Sequence, residues 1–214
     1  GFDYANYSDA ASGGVVDLLA WGNNTGMAAG DAYAAIEGVI GSAFDDSLRG
    51  TAGANTIYGG GGADWGFGRG GNEVLFGGSG NETPFGNDVL YGEAGNDPLF
   101  GNEGDDILAG GAGGDALDGG TGYDTVFYGD ATAGGIIDLQ LAGNNTGAAA
   151  GDSFAGIENV TGTTFADSIR GDAAGNLLAG GDGADYIYGR DGNDVLLGEA
   201  GDDTLLGNSG NGLQ

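Results

Sequence analysis

The chain contains no cysteine, no histidine and no lysine, and it has only two prolines. The absence of cysteine removes disulfide bonds as a means of stabilising the fold. Without histidine and cysteine the usual zinc ligands are missing, and catalytic triads that depend on histidine are excluded. No apolar run approaches the length of a membrane span. Carboxylates, amides, hydroxyls and backbone groups are therefore the chemistry that the chain can use.

Positive charge is scarce, because four arginines stand against 32 acidic residues and the formal net charge is −28. A nucleic-acid-binding surface needs clustered Lys or Arg, so nucleic acid is excluded as a partner. Such an excess of one sign destabilises a compact state by self-repulsion. The composition therefore predicts that the folded chain binds counter-charge.

Glycine is abundant, with 53 of 214 residues, and it recurs with a period of nine. Residues 92–127 are four consecutive units with Gly at the first and fourth positions, Asp at the sixth and an aliphatic residue at the eighth. The sixth positions form three ladders, and within each ladder the step is nine. The ladders are Asp46, Asn55, Asp64, Glu73 and Glu82; Asp88, Asp97, Asp106, Asp115 and Asp124; and Asp167, Asn176, Asp185, Asp194 and Asp203. The step from Glu82 to Asp88 is only six, which predicts a fault between the first two arrays.

A longer repeat is superimposed on the nonapeptides. A shift of 121 residues maps residues 7–50 onto residues 128–171 with about half of the positions identical, and all four arginines pair. We predict a first solenoid unit at 1–121, with lead-in strands at 1–40 and nonapeptide arrays at 41–121. A second, truncated copy is predicted at 122–214, with lead-in strands at 128–161 and an array at 162–214. The sequence thus has the character of a fragment of a longer solenoid, and it opens without a recognisable signal peptide.

The nonapeptide spacing predicts an all-β fold. Glycine every few residues costs roughly 1 kcal/mol each in a helix, and the apolar residues lack helical spacing. Each unit predicts a turn of about six residues and a strand of about three. Two units would complete one coil of 18 residues, with strands stacked about 4.8 Å apart and the eighth position facing inward. The lead-in sequences GGVVDLLA and GGIIDLQL predict longer strands in wider rungs.

Stacked carboxylates at the sixth position point to a bound cation. Like charges at the strand spacing repel by about 1 kcal/mol even in water. Ca²⁺ takes six to eight oxygens from carboxylates and carbonyls, and glycine-rich turns can direct carbonyls inward. The competing interpretation makes each Asp a turn residue that bonds to its own backbone, and Asn55 and Asn176 fit it best. The turn interpretation does not explain the whole ladder, so we predict several calcium ions.

Units such as GGAGGDALD, GGTGYDTVF and GRDGNDVLL closely resemble the RTX (repeats-in-toxin) nonapeptide, GGxGxDxUx. The lead-in strands are similar to segments that precede the arrays of secreted bacterial proteins, including serralysin-like proteases. The resemblance implies a right-handed parallel β-roll, with calcium between each turn and the turn one coil further on. It also implies type I secretion and an extracellular or cell-surface location.

The same resemblance implies a ligand set, in which two turns supply two Asp side chains and four carbonyls. The Asp ligands are Asp46, Asp64, Asp88, Asp97, Asp106, Asp115, Asp124, Asp167, Asp185, Asp194 and Asp203. The carbonyls are those of Glu93, Gly95, Gly110 and Ala112 for Asp97/Asp115; of Asn102, Gly104, Gly119 and Thr121 for Asp106/Asp124; and of Gly181, Gly183, Gly198 and Ala200 for Asp185/Asp203. Strong sites are expected at pairs 88/106, 97/115, 106/124, 167/185, 176/194 and 185/203, and a further site at 46/64. Rungs 66–88 should hold empty or distorted sites, because Glu73 and Glu82 replace Asp while Gly66 and Pro84 replace the inward aliphatic residue.

We expect a non-catalytic calcium-binding RTX module of a secreted or cell-surface bacterial protein that folds on binding extracellular calcium. Paired carboxylates can also hydrolyse glycosides, but each close pair here suits a calcium cage better. One alternative is an accessory module of a secreted protease, lyase or epimerase. Another is a self-assembling, S-layer- or adhesin-like surface that contacts a protomer or a glycan through outward aromatic residues. These are Tyr58, Phe67, Phe76, Phe85, Tyr91 and Phe100, and the simpler explanation is that aromatic residues suit strand surfaces.

Overall fold

The computed structural model describes residues 1–78 and 86–208. Within these ranges the chain is an all-β solenoid of short parallel strands, which confirms the predicted fold class. The only helices in the described residues are three 3₁₀ turns at Trp21–Asn23, Ala142–Asn144 and Gly147–Ala149. In this described part no helix has the length and hydropathy needed to cross a bilayer. Glu82, Pro84 and Phe85 lie outside the described residues.

The strands, numbered in chain order, form three sheets in which all pairs except β2–β3 are parallel. The first sheet has the order β1 (Tyr4–Asn6), β4 (Gly38–Ile40), β6 (Thr56–Gly60), β8 (Val74–Gly78), β10 (Pro98–Glu103), β12 (Ala116–Thr121) and β15 (Ser153–Ala155). The second sheet has the order β20 (Val195–Ala200), β18 (Leu177–Asp182), β16 (Asn159–Thr161), β13 (Thr125–Phe127), β11 (Ile107–Ala112), β9 (Val89–Ala94), β7 (Trp65–Phe67), β5 (Ser47–Arg49), β2 (Gly14–Asp17) and β3 (Thr25–Gly26). The third has the order β14 (Ile136–Asp138), β17 (Ser168–Arg170), β19 (Tyr186–Arg190) and β21 (Thr204–Gly207).

Strand register within the arrays shows that two nonapeptides complete one coil. Ile107 lies opposite Val89, a step of 107 − 89 = 18 residues, as predicted from the spacing. Between the first two arrays the step is longer, because Val89 lies opposite Trp65 and 89 − 65 = 24. The predicted fault is therefore one coil that is six residues longer than the 18-residue coils of the arrays. The stack of strands continues across it.

Two connecting segments, residues 7–37 and 128–158, make the widest rungs. Gly38 pairs with Tyr4, and Ser153 pairs with Ala116, so these coils contain 34 and 37 residues. The prediction of longer strands in the lead-in sequences is wrong, because β2 and β14 have only four and three residues. The array strands are the longer ones, since their ladders continue past the ninth position into the next turn, where Gly111 lies opposite Glu93.

In the arrays the core consists of the aliphatic side chains at the eighth position of the nonapeptides, and residues of the connecting segments such as Val16, Val39 and Ile137 continue it. The buried eighth-position residues are Leu48, Ile57, Leu75, Leu90, Leu99, Leu108, Leu117, Val126, Ile169, Leu178, Ile187 and Leu196. At Gly66, which lacks the inward side chain, a Cβ would lie 3.0 Å from Leu90 and 3.3 Å from Leu75, so these neighbours fill the space. Each buried aliphatic side chain contributes about 1.5–3 kcal/mol, but one residue per strand makes a thin core. The solenoid therefore needs a further source of stability.

The outward aromatic residues form two ladders rather than the single stripe that the sequence indicated. Phe76 stacks between Tyr58 and Phe100 on the first sheet, with ring centroids 4.7 and 4.8 Å apart. Phe67 and Tyr91 stack on the second sheet at 5.4 Å with parallel rings. Ring faces therefore cover one another, and the ladders offer mainly ring edges to a partner.

Candidate metal centre

The sixth-position residues form columns along the solenoid, linked by one repeated hydrogen bond. The backbone N–H of Asp88 donates to Oδ1 of Asp106 at 2.7 Å, and that of Asp106 donates to Oδ1 of Asp124 at 2.8 Å. The same bond joins Asp46 to Asp64, Asp64 to Asp88, Glu73 to Asp97, Asp97 to Asp115, Asp167 to Asp185, Asn176 to Asp194, and Asp185 to Asp203. Each pair named from the sequence is thus brought to adjacent coils.

In seven of the described aspartates the second carboxylate oxygen, Oδ2, is buried without a hydrogen-bond partner. The buried Oδ2 atoms without a hydrogen bond belong to Asp64, Asp88, Asp97, Asp106, Asp115, Asp124 and Asp185. In Glu73, which is fully buried, both carboxylate oxygens lack a partner. A buried oxygen left unpaired costs about 1–3 kcal/mol, and more when it is charged. A row of such oxygens at the same position of successive repeats is the arrangement expected of cation ligands.

The first-position glycines leave the space into which these oxygens project. A Cβ added to Gly92 would lie 2.5 Å from Oδ2 of Asp97 and 2.6 Å from the carbonyl oxygen of Gly110. At Gly101 the corresponding atoms are Oδ2 of Asp106 at 2.2 Å and the carbonyl oxygen of Gly119 at 2.6 Å. A carboxylate from one coil and a carbonyl from the next therefore converge on one point, which any larger residue would fill.

The second and fourth positions have the backbone conformation that turns carbonyls. Glu93 and Asn102, both second-position residues, have φ values of 73° and 77°, which non-glycine residues rarely adopt. The fourth-position residues Gly95, Gly104 and Gly183 have φ values of 151°, 134° and 134°. Gly181, at a second position, has φ 99°. All six were named as carbonyl ligands from the sequence.

The third-position carbonyls are engaged by the protein. Those of Ala112, Thr121 and Ala200 accept the N–H of the fourth-position residue one coil earlier, at 2.9, 3.1 and 2.8 Å. A carbonyl oxygen has two lone pairs, so one is left for a cation. Gly198 is the remaining residue predicted to supply a carbonyl. Its carbonyl oxygen lies 3.0 Å from the position that a Cβ of Gly180 would take, and Oδ2 of Asp185 lies 2.2 Å from the same position.

No group of three or more Asp, Glu, His or Cys side chains converges anywhere in residues 1–78 and 86–208. A metal ion at the columns would thus be held by two carboxylates together with backbone carbonyls. That all-oxygen donor set suits Ca²⁺, and the absence of nitrogen and sulfur ligands disfavours transition metals. The residues present therefore fit calcium.

Burial makes the interior carboxylates unusually basic. It raises the pKa of Asp106 and of Asp115 to about 7, against the opposing effect of the backbone N–H bond that each accepts. The pKa of Asp88 and of Asp124 rises to about 6, and that of Asp64 to about 9, for the same reason. Without a cation, these carboxyls therefore keep their protons to a higher pH than ordinary aspartates do.

Comparison with protein families identifies the repeat. The model of the RTX calcium-binding nonapeptide repeat matches residues 40–72, 67–83, 85–108, 92–126, 152–185 and 179–213, together more than half of the chain. The chain belongs to the RTX calcium-binding repeat family. This confirms the resemblance seen in the sequence, and calcium binding is the property for which this repeat family is named. A search of curated proteins finds no match.

Not every RTX unit is open to a cation. In the opening units, which are residues 41–58 and 162–179, protein donors already engage the sixth residue. Oδ2 of Asp46 accepts the N–H and the hydroxyl of Ser42 at 2.7 and 2.9 Å, and its Oδ1 accepts the N–H of Gly14 at 2.8 Å. Asp167 is held in the same way by Thr163 and Gly135.

The asparagines in the opening units connect neighbouring coils by hydrogen bonds. Nδ2 of Asn55 donates to the carbonyl of Glu37 at 3.0 Å, and Nδ2 of Asn176 donates to that of Glu158 at 3.2 Å. Their Oδ1 atoms accept backbone N–H groups four residues earlier. These two residues fit the turn interpretation, and their neutral amides supply N–H donors that the aspartates of other RTX units lack.

Two residues that extend the columns were missed by the sequence analysis. The N–H of Asp115 donates to Oδ1 of Asp152 at 2.9 Å, and that of Asp124 donates to Oε2 of Glu158 at 3.0 Å. Oδ2 of Asp152 accepts the Tyr128 hydroxyl at 2.6 Å, so a phenol proton satisfies it. Neither acidic residue follows the spacing of nine, because both lie in a connecting segment.

The arginines of the RTX turns also have a use that the sequence analysis left unassigned. Arg69 binds both carboxylate oxygens of Asp17 at 2.9 and 2.8 Å, and Arg190 binds Asp138 at 2.7 and 2.8 Å. Burial alone would raise the pKa of Asp17, but the Arg69 guanidinium and nearby N–H groups hold it below its usual range. These guanidinium groups hold the connecting segments by ion pairs, and they do not neutralise the carboxylates of the sixth-position columns. The signal was present, since both pairs coincide under the 121-residue shift.

Proposed function

We propose that the chain is a non-catalytic module that folds on binding calcium and belongs to a secreted or cell-surface bacterial protein. The observation that carries this proposal is the row of buried, unpartnered Oδ2 atoms at the sixth position of the interior units. Five of them face a space bounded by a carbonyl of the next coil, namely those of Asp64, Asp88, Asp97, Asp106 and Asp185. Membership of the RTX calcium-binding family supports the choice of ion.

The interior pairs 88/106, 106/124, 97/115 and 185/203 would hold the ions most strongly. Bound calcium would neutralise the facing carboxylates and join neighbouring coils. The protein positions the ligands in advance, because each Oδ1 is fixed by a backbone N–H while the first-position glycine leaves space for Oδ2. Pairs 46/64, 167/185 and 176/194 contain one residue already engaged by protein donors, so we expect weaker binding there.

Calcium dependence of folding follows from the energetics of the fold. The core contributes one aliphatic side chain per strand, and the net charge of −28 opposes compaction. Ligands that come together only in the folded state make binding free energy part of folding free energy. Without calcium, the balance favours the unfolded chain.

An extracellular setting suits such a module. Extracellular calcium modules bind typically at about 10⁻⁴–10⁻³ M, far above cytosolic calcium levels. A chain of this kind would stay unfolded before export and fold outside the cell. RTX repeats are typical of secreted bacterial proteins, which supports this location.

The deciding experiment is a calcium titration followed by circular dichroism and by equilibrium dialysis. We expect an unfolded spectrum in chelator, a cooperative gain of β signal with calcium, and several bound ions per chain. Magnesium at equal concentration is the control for ionic strength, and it should restore much less structure, because it demands octahedral geometry. A full β spectrum in chelator would refute calcium-dependent folding.

A further inference from the structure

One aromatic ladder of the solenoid has a missing rung. On the second sheet the ninth position of the nonapeptide is occupied, in successive strands from β5 to β13, by Arg49, Phe67, Tyr91, Ala109 and Phe127. Four of these side chains end in a planar group, and Ala109 does not. In the described part of the chain no ring stacks on the second face of Tyr91, because the next strand offers only a methyl group there.

The other end of this ladder shows which group stacks on a ring face that has no aromatic neighbour. Cζ of Arg49 lies 5.4 Å from the ring centroid of Phe67, and the rings of Phe67 and Tyr91 are parallel with centroids 5.4 Å apart. A guanidinium is planar, delocalised and positively charged, so it stacks on an aromatic face and is attracted by it. The second face of Tyr91 is therefore suited to a second planar cation.

A cleft of about 670 Å³ lies at the missing rung. Its walls are Tyr91 and Phe127, the turn 111–113, and residues within 128–133 and 147–150 of the second connecting segment. The volume is within the range of about 300–1,000 Å³ that is typical of small-ligand clefts. The lining residues fall between positions 67 and 150, so the cleft is formed inside the solenoid, away from both ends of the chain.

The cleft is acidic. Glu93 and Asp130 line it, both are exposed, and no arginine or lysine is among its described lining residues. Neither carboxylate forms an ion pair with an arginine in the described part of the chain. A carboxylate can accept two N–H groups of a guanidinium in a planar, bidentate arrangement. Most of the remaining lining residues are Gly or Ala, which leaves space for the backbone on either side of an inserted side chain.

We propose that this cleft binds an arginine side chain of a partner protein. The guanidinium would lie against the rings of Tyr91 and Phe127 and donate to the carboxylates of Glu93 and Asp130. A lysine side chain would bring the charge without the planar face, and a neutral sugar would bring a stacking face without the charge. A guanidinium combines the two properties that match the ring faces and the unpaired carboxylates of the cleft.

This inference rests on the proposed function, because the cleft shares residues with a predicted calcium site. Glu93 and Ala112 line the cleft, and their carbonyls belong to the ligand set expected for the pair Asp97/Asp115. Arginine binding is therefore measured in saturating calcium, and circular dichroism shows whether each protein is folded. A folded chain that does not bind arginine contradicts the arginine cleft alone, whereas a chain that calcium does not fold contradicts the proposed function.

Two capped tripeptides of equal charge test the cleft, one with arginine and one with lysine between two glycines. The net charge of −28 attracts both alike, so a difference between them reports on stacking. In ¹⁵N–¹H NMR titrations of the full chain, we expect the arginine peptide to bind about fivefold more tightly than the lysine peptide. It should also shift the amide signals of Gly111, Ala112 and Gly113. Equal affinities, or shifts that leave these three signals unmoved, would overturn the proposal.

Tyr91→Leu removes a ring face of the cleft and should abolish the preference for arginine over lysine. Phe100→Leu is the matched control, because it removes a ladder ring of the first sheet, outside the cleft, and should keep the preference. A preference that is unchanged in folded Tyr91→Leu would show that stacking on this ring does not hold the arginine.

The double variant Glu93→Gln/Asp130→Asn removes the charge and keeps the size of both acidic side chains. It should weaken binding of the arginine peptide at least about fivefold. Glu199→Gln is the matched control, because Glu199 also occupies a second position with positive φ and does not line the cleft. Maltotriose, a neutral trisaccharide, is the third probe. Shifts of the three amide signals by maltotriose but not by the arginine peptide would assign the cleft to sugars and refute arginine binding.

Discussion

The interior units and the opening units share one nonapeptide pattern, yet they treat the sixth residue in opposite ways. At Asp106, an interior residue, one carboxylate oxygen has no protein partner, whereas both oxygens of Asp167, in an opening unit, accept hydrogen bonds. The difference originates at the second position. In the opening units Ser42, Thr51, Thr163 and Asp172 direct their N–H groups at the sixth side chain. In the interior Glu93, Asn102 and Glu199 have positive φ, which turns the peptide groups elsewhere.

This comparison shows that the Asp ladder alone does not define a calcium site. A carboxylate that is closed by N–H and hydroxyl donors stabilises the end of an array without metal. Under the proposed function, a carboxylate that is left open makes its coil depend on a cation. We therefore expect residue two of the nonapeptide to determine whether residue six acts as a cap or as a ligand.

The largest expected effect is that of pH on the interior units. Their carboxyls have pKa values of about 6 to 7, and about 9 for Asp64, above the ordinary value of 3.8. A raised folded-state pKa favours the protonated fold, so calcium-free stability is present below about pH 4 and is lost as pH rises through 6–7. In chelator, circular dichroism should show β structure gained on acidification from pH 8 to pH 4.

With calcium the dependence reverses, since protons compete with the ion for Oδ2. The calcium midpoint should rise as pH falls from 8 to 6. A calcium midpoint that is independent of pH would mean that the open carboxyls are not the ligands.

The second-largest effect should come from replacing one sixth-position aspartate in an interior unit and one in an opening unit. Asp106 belongs to two successive pairs, so Asp106→Asn should raise the calcium concentration at the folding midpoint about 10–100-fold and lower the number of bound ions. Asp167→Asn should cost about 1 kcal/mol of stability through weakened hydrogen bonds, and it should remove at most the weakly held ion of pair 167/185. Equilibrium dialysis and calcium titration measure both. Equal losses of ions in the two variants would abolish the distinction.

A smaller effect is expected from filling the space at a first-position glycine. Gly101→Ala places a Cβ 2.2 Å from Oδ2 of Asp106 and 2.6 Å from the Gly119 carbonyl, which should cost about 1–3 kcal/mol in calcium. Gly143→Ala is the control, because nothing lies within 4 Å of a Cβ there. Thermal unfolding at fixed calcium gives the difference, and equal melting temperatures would contradict the convergence of oxygens at Gly101.

The smallest effect should come from removing one of the hydrogen bonds that close Asp167. Thr163→Val removes the hydroxyl bond to Asp167 but keeps the N–H bond, so about 1 kcal/mol of stability should be lost. Denaturant unfolding at saturating calcium provides the measurement, and Thr164→Val is the neighbouring control. A gain of one bound ion in Thr163→Val would show instead that the hydroxyl is what keeps calcium out.

The period of nine was sufficient to predict the coil of 18 residues, the inward eighth position and the pairs of sixth-position residues. It could not predict which pairs are closed, because closure depends on the φ of residue two and on donors such as Gly14, which lies 32 residues from Asp46. Nor could it place Asp152 and Glu158 at the ends of the columns. The connecting segment brings Asp152 next to Asp115, which lies 37 residues earlier, and Glu158 next to Asp124, which lies 34 residues earlier. The six-residue step was visible in the sequence, but its outcome as a single longer coil depends on strand pairing across the fault.

The duplication has a geometric consequence for what the two halves display. Strands β4, β6 and β8 belong to the first sheet, whereas their counterparts β16, β18 and β20 belong to the second. The second half is therefore rotated about the long axis relative to the first. Any feature shared by the outer surfaces of these strands is therefore presented to the surroundings in two different directions.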